Sequence, residues 1–352
     1  MIKVSEAKRI AKDWVEAEAP NIPNFRAAFL NGSILWKDDH ELQPETSDVD
    51  LKILMDVDEP EWIHEHGLIQ QKRAYKGIIL ETTFSPFKEF STPERVLADF
   101  VWAAQFSVPN ILSDPSGELS VLQKTVAAQF ARKKWVIKRI EGARNYALMF
   151  LETTQMGNFK DRWMALVYAV SGGITMIPIQ AELRPPTIRK GNIAFKKIME
   201  NHGRQDLHER LLRILGTQSI KRVKVERHLH ELSGTFDRAL EIMKSPSQFG
   251  FIEPISRPLV IHGSREMVDE GFHREAMVWI MCMLAECQKT IDQDGSEEEK
   301  QKYMERYERI LAEMGFRTEE DFQKRVDDGK KLLNEVIQVA KQIIETNPKI
   351  IQ

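Results

Sequence analysis

Two aspartates separated by one residue, Asp48 and Asp50, have the spacing in this sequence that most clearly predicts chemistry. Residues 48–53 alternate polar and apolar side chains, which is the pattern of a strand with one apolar face, so both carboxylates should point the same way. Aspartate is depleted in strands, and two neighbouring carboxylates repel each other unless a cation lies between them. Because hard oxygen ligands of this kind suit Mg²⁺, the sequence predicts a magnesium site.

A third carboxylate is expected from Glu81, which lies in the strand-like stretch 77–84 on the face opposite its apolar residues. The preceding stretch, 68–75, should pair with this strand through a turn at Lys76-Gly77. Two metal ions held about 3.5–4 Å apart by three such carboxylates could support an in-line displacement. An exposed strand can also carry a glutamate for solubility alone.

Gly32 and Ser33 follow the apolar run 27–30 and precede residues 34–36, which could open a helix. Glycine permits a tight turn and close backbone approach, and the first amides of a helix attract an anion such as a phosphate. Ser33 could instead cap the helix, a role compatible with phosphate binding.

Together these motifs resemble the nucleotidyltransferase superfamily typified by DNA polymerase beta, and within it antibiotic nucleotidyltransferases such as the aminoglycoside adenylyltransferases. The shared pattern is apolar-Gly-Ser at 30–33, Asp-x-Asp at 48–51, and a later acidic residue, Glu81. The match covers roughly residues 25–90. This chain has a longer spacer than usual, residues 34–47, and Asn31 separates Leu30 from the glycine.

The resemblance implies transfer of a nucleoside monophosphate, AMP from ATP, to a hydroxyl of a small-molecule acceptor, with release of pyrophosphate. Asp48, Asp50 and Glu81 would be catalytic and would bind two Mg²⁺ ions, and Gly32 and Ser33 would bind the nucleotide. An antibiotic and an intracellular metabolite are both open as acceptors. Nucleotide transfer to tRNA or protein, and a catalytically inactive nucleotide-binding regulator, remain alternatives.

Basic residues at Lys133, Lys138 and Arg139 lie in a stretch with helical periodicity. Such residues usually form a solvated helix face, but we interpret one of them as a ligand of the triphosphate or pyrophosphate. The formal net charge of −3 gives no global attraction to a phosphate backbone, so nucleic acid is not expected as a partner.

The length of 352 residues favours two domains. Cys282 and Cys287 are too few for a disulfide framework and predict buried thiols in a reducing compartment. The first residues lack the apolar segment of a secretory signal, and we find no run of roughly 18–20 apolar residues that would cross a membrane. These features predict a cytoplasmic protein with no membrane segment, and they leave the oligomeric state open.

We predict an α+β protein, in which a small mixed β-sheet nucleotidyltransferase domain at 1–110 precedes a mainly α-helical bundle domain at 111–352. Strand patterns dominate up to residue 84, and helical periodicity continues almost unbroken from residue 94. One long helix is expected to begin at 116 or 117 and end before 157. No strand is expected after residue 90.

Overall fold

The computed structural model describes residues 2–58, 70–244 and 251–352. Its single five-stranded sheet has the order β3–β4–β2–β1–β5. The strands are β1 Phe25–Asn31, β2 Val49–Met55, β3 Gln71–Tyr75, β4 Ile78–Pro86 and β5 Ile111–Ser113. The sheet is mixed, because β2 and β4 are parallel and the other neighbours are antiparallel.

Both faces of the central strands are covered. Odd-numbered residues of β2, such as Leu51 and Ile53, pack in one cluster with helix α1 Val4–Glu18. On the other face Leu54 packs with Phe29 and Phe106, whose ring centroids are 4.9 Å apart. Burial on both faces is usual where parallel pairing occurs. The predicted single apolar face of β2 therefore holds only at the beginning of the strand, where Asp50 lies.

Three helices follow β4 or β5 and cover the second face of the sheet. They are α2 Pro93–Ala98, α3 Trp102–Gln105 and α4 Glu118–Gln129. The next helix, α5, spans Lys133–Thr153, so the prediction of one helix from 116 to 157 is wrong. The chain breaks between α4 and α5, where the amide of Lys133 donates to the carbonyl of Ile351 near the C-terminal end. Periodicity could not reveal this break, because the pairing partner lies far away in sequence.

Strand β5 contradicts the expectation that no strand follows residue 90. It is only three residues long, too short to show an alternating pattern, and it pairs with β1 at the edge of the sheet. The sheet therefore extends past residue 110 to Ser113 and packs on α4, and the division into two domains stays a prediction.

The remainder is helical, as predicted, and forms one large apolar core. Its helices are α6 Phe159–Val167, α7 Met176–Ala181, α8 Gly191–Asn201, α9 Gln205–Leu215, α10 Arg222–Ile242, α11 Gly263–Asp269, α12 His273–Asp294, α13 Glu297–Glu313 and α14 Glu319–Thr346. Capping boxes at Ser296 and Thr318 fix the starts of α13 and α14. The mixed sheet followed by helices agrees with the α+β prediction.

A π-helical turn, Tyr168–Ile174, joins α6 to α7 and makes Phe159–Ala181 one helical stretch. By length and composition alone this stretch could span a membrane, which the sequence analysis did not anticipate. Most of it is buried within the protein, as in the core helix of a soluble protein. Of the two cysteines, both free and both in α12, Cys287 is buried and Cys282 is half-buried.

Candidate metal centre

The parallel pairing of β2 and β4 places Asp50 directly beside Glu81, and Asp48 comes just before β2 begins. One carboxylate oxygen from each of these residues lies within 4.8 Å of the other two. All three residues are half-buried. The predicted convergence of the three carboxylates is therefore confirmed, and their role as metal ligands stays a prediction.

Two of the three carboxyl groups, Asp50 and Glu81, have raised pKa values. Burial raises the pKa of Asp50 well above its usual value, and the neighbouring charges of Asp48 and Glu81 raise it further. Burial, followed by repulsion from Asp48, raises the pKa of Glu81 to about 7. A divalent cation would offset both effects, because its charge would stabilise the ionised form of the carboxylates.

The position of the Asp50 side chain requires a glycine at residue 32. Its φ of +73° is a conformation that glycine adopts readily, and a Cβ atom there would lie 1.8 Å from Oδ2 of Asp50. Beside it, Asn31 pairs with Asp50 across β1 and β2, and its buried Oδ1 has no hydrogen-bond partner among the described residues. The glycine of the Gly-Ser motif therefore makes room for a carboxylate of the Asp-x-Asp motif.

Ser33 begins a single 3₁₀ turn, Ser33–Trp36, rather than a longer helix. Gly32, not Ser33, occupies the N-cap position. Ser33 itself is exposed at the surface. Phosphate binding by Gly32 and Ser33 stays a prediction.

Lys72 is part of the site, although the sequence analysis did not identify it. It lies opposite Glu81 in the β3–β4 hairpin, and its Nζ is 2.7 Å from Oε2 of Glu81. The Lys72 side chain is only 2% exposed, and its ammonium also lies over the ring of Phe251, 5.1 Å from the centroid. The turn at Lys76-Gly77 could have predicted this contact, because a hairpin that turns there pairs residue 72 with residue 81.

The loop that carries Asp48 is held by Gln43, which the sequence analysis also missed. Nε2 of this buried glutamine donates to the carbonyls of Ser47 and Asp48, each at 3.1 Å. Its Oε1 accepts from Nζ of Lys37 at 3.1 Å. Burial lowers the pKa of Lys37, while Asp48 opposes that effect. Polar residues in a loop give no pattern that would distinguish such a contact in advance.

None of the contacts observed for Lys133, Lys138 and Arg139 involves the three carboxylates. Lys133 pairs with Glu345 at 2.8 Å, and Lys138 pairs with Glu141 at 3.2 Å on the helix surface. These contacts favour an ordinary solvated helix face, and phosphate binding by Lys133 and Lys138 stays a prediction.

Arg139 has no exposed surface, so it cannot reach a phosphate in this conformation. Its guanidinium donates to Oε1 of Gln180 and to the carbonyls of Leu97 and Phe130, and burial lowers its pKa to about 9. We therefore correct the assignment of Arg139 as a phosphate ligand. Its hydrogen bonds connect the helices beside the sheet to the helical core.

A cavity of about 510 Å³ lies elsewhere, between the segment 87–93 and the start of α4. None of the three carboxylates lines it, and its walls include the apolar side chains of Phe87, Phe90 and Leu122. The chemistry of the carboxylate cluster, rather than cavity size, identifies the candidate site.

No protein-family model matches this chain, and a comparison with curated proteins found no match either. The assignment of the site therefore depends on the geometry of its residues.

Proposed function

We propose that this protein is a metal-dependent nucleotidyltransferase that transfers AMP from ATP to a hydroxyl of a small-molecule acceptor and releases pyrophosphate. The observation that supports this proposal best is the convergence of Asp48, Asp50 and Glu81 within 4.8 Å. Gly32, with its positive φ, lies against the carboxylate of Asp50.

The residues at the cluster fit a divalent metal. Three carboxylates supply hard oxygen ligands, and burial together with the neighbouring carboxylates raises the pKa values of Asp50 and Glu81, which a bound cation would offset. Asp48, Asp50 and Glu81 would hold Mg²⁺. When bound, the ions would neutralise the triphosphate and lower the pKa of the attacking hydroxyl.

The protein's own contribution is mainly positioning, which suits a phosphoryl transfer reaction. Strand pairing fixes Asp50 beside Glu81, and Gln43 fixes the backbone at Asp48. Lys72 holds Oε2 of Glu81 and would orient this carboxylate for a metal ion or for the proton of the acceptor hydroxyl. Backbone amides near Gly32 and Ser33 would face the phosphates of the donor.

The test is pyrophosphate release from ATP and Mg²⁺ with a panel of antibiotics, sugars and nucleosides, followed by mass measurement of the product. We expect an acceptor-dependent mass increase equal to one AMP group. Label from ATP that appears on tRNA or protein would instead favour a macromolecular acceptor. Nucleotide binding without pyrophosphate release across the panel would favour a regulator.

Asp48→Asn and Asp50→Asn should each abolish turnover while the fold is retained. The chain offers a matched control in Asp56 and Asp58, an exposed pair with the same spacing at the end of β2. Asp56→Asn and Asp58→Asn should leave activity unchanged. Substantial activity in either variant of the first pair would refute the proposal.

A further inference from the structure

The segment 46–48 leads into β2 but belongs to no helix or strand. Its three successive carbonyls need partners, because buried backbone groups are rarely left unpaired. Gln43 satisfies those of Ser47 and Asp48. The carbonyl of Thr46 is satisfied by the helical region, which therefore contacts the loop immediately before the first carboxylate.

Arg189, in the segment before α8, makes this contact. Its Nη1 and Nη2 atoms both donate to the carbonyl of Thr46, each at 3.2 Å, and Nη1 also donates to the carbonyl of Leu259 at 3.0 Å. The planar guanidinium can serve two carbonyls at fixed geometry, which a lysine ammonium does less well. Arg189 thus ties the loop to the chain segment just before α11.

A second contact supports the same residue of the loop. The hydroxyl of Thr46, which is 7% exposed, donates to Oε1 of Glu266 in α11 at 2.7 Å. Thr46 is therefore held both at its carbonyl and at its side chain by residues more than 140 positions away in sequence.

Gly263 is the first residue of α11. Because it has no side chain, the guanidinium of Arg189 can occupy the space beside it. A Cβ atom at this position would lie 2.4 Å from Nη1 of Arg189. The obstructed atom is the far end of a flexible side chain, so the fold could accept alanine if the guanidinium moved. The movement would release the carbonyl of Thr46.

We infer that Arg189 is a positioning residue, which holds Asp48 in place for metal binding through Thr46, and that Gly263 is needed to let it do so. The inference rests on the proposed role of Asp48 as a metal ligand. Residues that orient a metal ligand from behind typically change metal affinity about 10- to 100-fold when they are removed.

The experiment measures Mn²⁺ affinity of the full-length protein by electron paramagnetic resonance, together with the thermal unfolding midpoint. Arg189→Met and Gly263→Ala should each raise the dissociation constant for Mn²⁺ by about tenfold. Gly263→Ala should lower the unfolding midpoint only slightly, because the higher helix propensity of alanine offsets part of the loss of the Arg189 hydrogen bonds.

Gly234→Ala is the matched control, since Gly234 lies in α10 and a Cβ atom there would contact nothing within 4 Å. Its Mn²⁺ affinity should equal that of the wild type. Wild-type affinity in Arg189→Met and Gly263→Ala would overturn the inference, and so would an equal loss of affinity in Gly234→Ala. If Gly263→Ala does not fold, Arg189→Met decides the question.

Failure of the inference can be distinguished from failure of the proposed function. If the wild type does not bind Mn²⁺, or Asp50→Asn binds it equally well, the metal site itself is refuted. If Asp50→Asn loses Mn²⁺ binding while Arg189→Met keeps it, only the positioning role is refuted.

Discussion

Without metal, ionisation of Glu81 should destabilise the folded protein. Its pKa rises from an ordinary 4.5 to about 7 in the fold, and each pKa unit corresponds to about 1.4 kcal/mol. The shift therefore corresponds to about 3 kcal/mol of the free energy of unfolding. The Glu81 side chain is only 16% exposed, so solvent screens little of this effect.

The sign follows from proton binding. Between pH 4.5 and about 7 the folded protein keeps the proton on Glu81 while the unfolded chain loses it. Stability should therefore fall as pH rises through this range and should stay reduced above it. Asp50, whose pKa is also raised, should add to the fall. Mg²⁺ should reverse the trend, because it binds the ionised carboxylates of the folded state only.

The assay is urea unfolding across this pH range, in EDTA and in saturating Mg²⁺. In EDTA, the free energy of unfolding should fall between pH 4.5 and pH 8 in both proteins, by about 3 kcal/mol less in Glu81→Gln than in the wild type. The exposed Glu94 provides the control, since Glu94→Gln should follow the wild-type curve. Identical pH dependence in the wild type and in Glu81→Gln would refute the reasoning.

Three further predictions test other parts of the structure. Gly32→Ala should abolish Mn²⁺ binding and cost about 1–3 kcal/mol in urea unfolding, because the new Cβ displaces the Asp50 carboxylate at a strained φ; normal Mn²⁺ binding would contradict this. Arg139→Met should destabilise the fold by about 3 kcal/mol, because it leaves three buried acceptors unpaired, and an unchanged urea midpoint would disprove it. Lys133→Ala and Lys138→Ala should leave ATP affinity unchanged in calorimetry, since both side chains form surface ion pairs. A large loss of ATP affinity would instead support their predicted role as phosphate ligands.

Local pattern predicted the parts of the site that lie on strands. Alternation predicted the strands that carry Asp50 and Glu81, the expected metal chemistry placed these strands side by side, and the β2–β4 register confirms that placement. The same logic predicts the position of Lys72, because hairpin register is fixed by the turn. Strand β5 could not be predicted in this way, because three residues are too few to show a period.

The sequence could not separate the roles of its basic residues, because charge alone does not reveal where a side chain lies in the fold. Lys133, Lys138 and Arg139 look equivalent on a helical pattern, yet one is fully buried and the other two lie at the surface in ion pairs. Arg189 is half-buried. It reaches the loop before Asp48 only because α11 and the segment before α11 pack against Arg189.

By itself, the sequence predicted the α+β class and the strands that carry Asp50 and Glu81, because strand alternation and short turns depend on neighbouring residues alone. The tertiary structure decided which cations serve the site and how the loop at Asp48 is held, through Lys72, Gln43 and Arg189. The physical reason is that a long polar side chain can satisfy many partners, and the choice among them is made only when distant segments pack together.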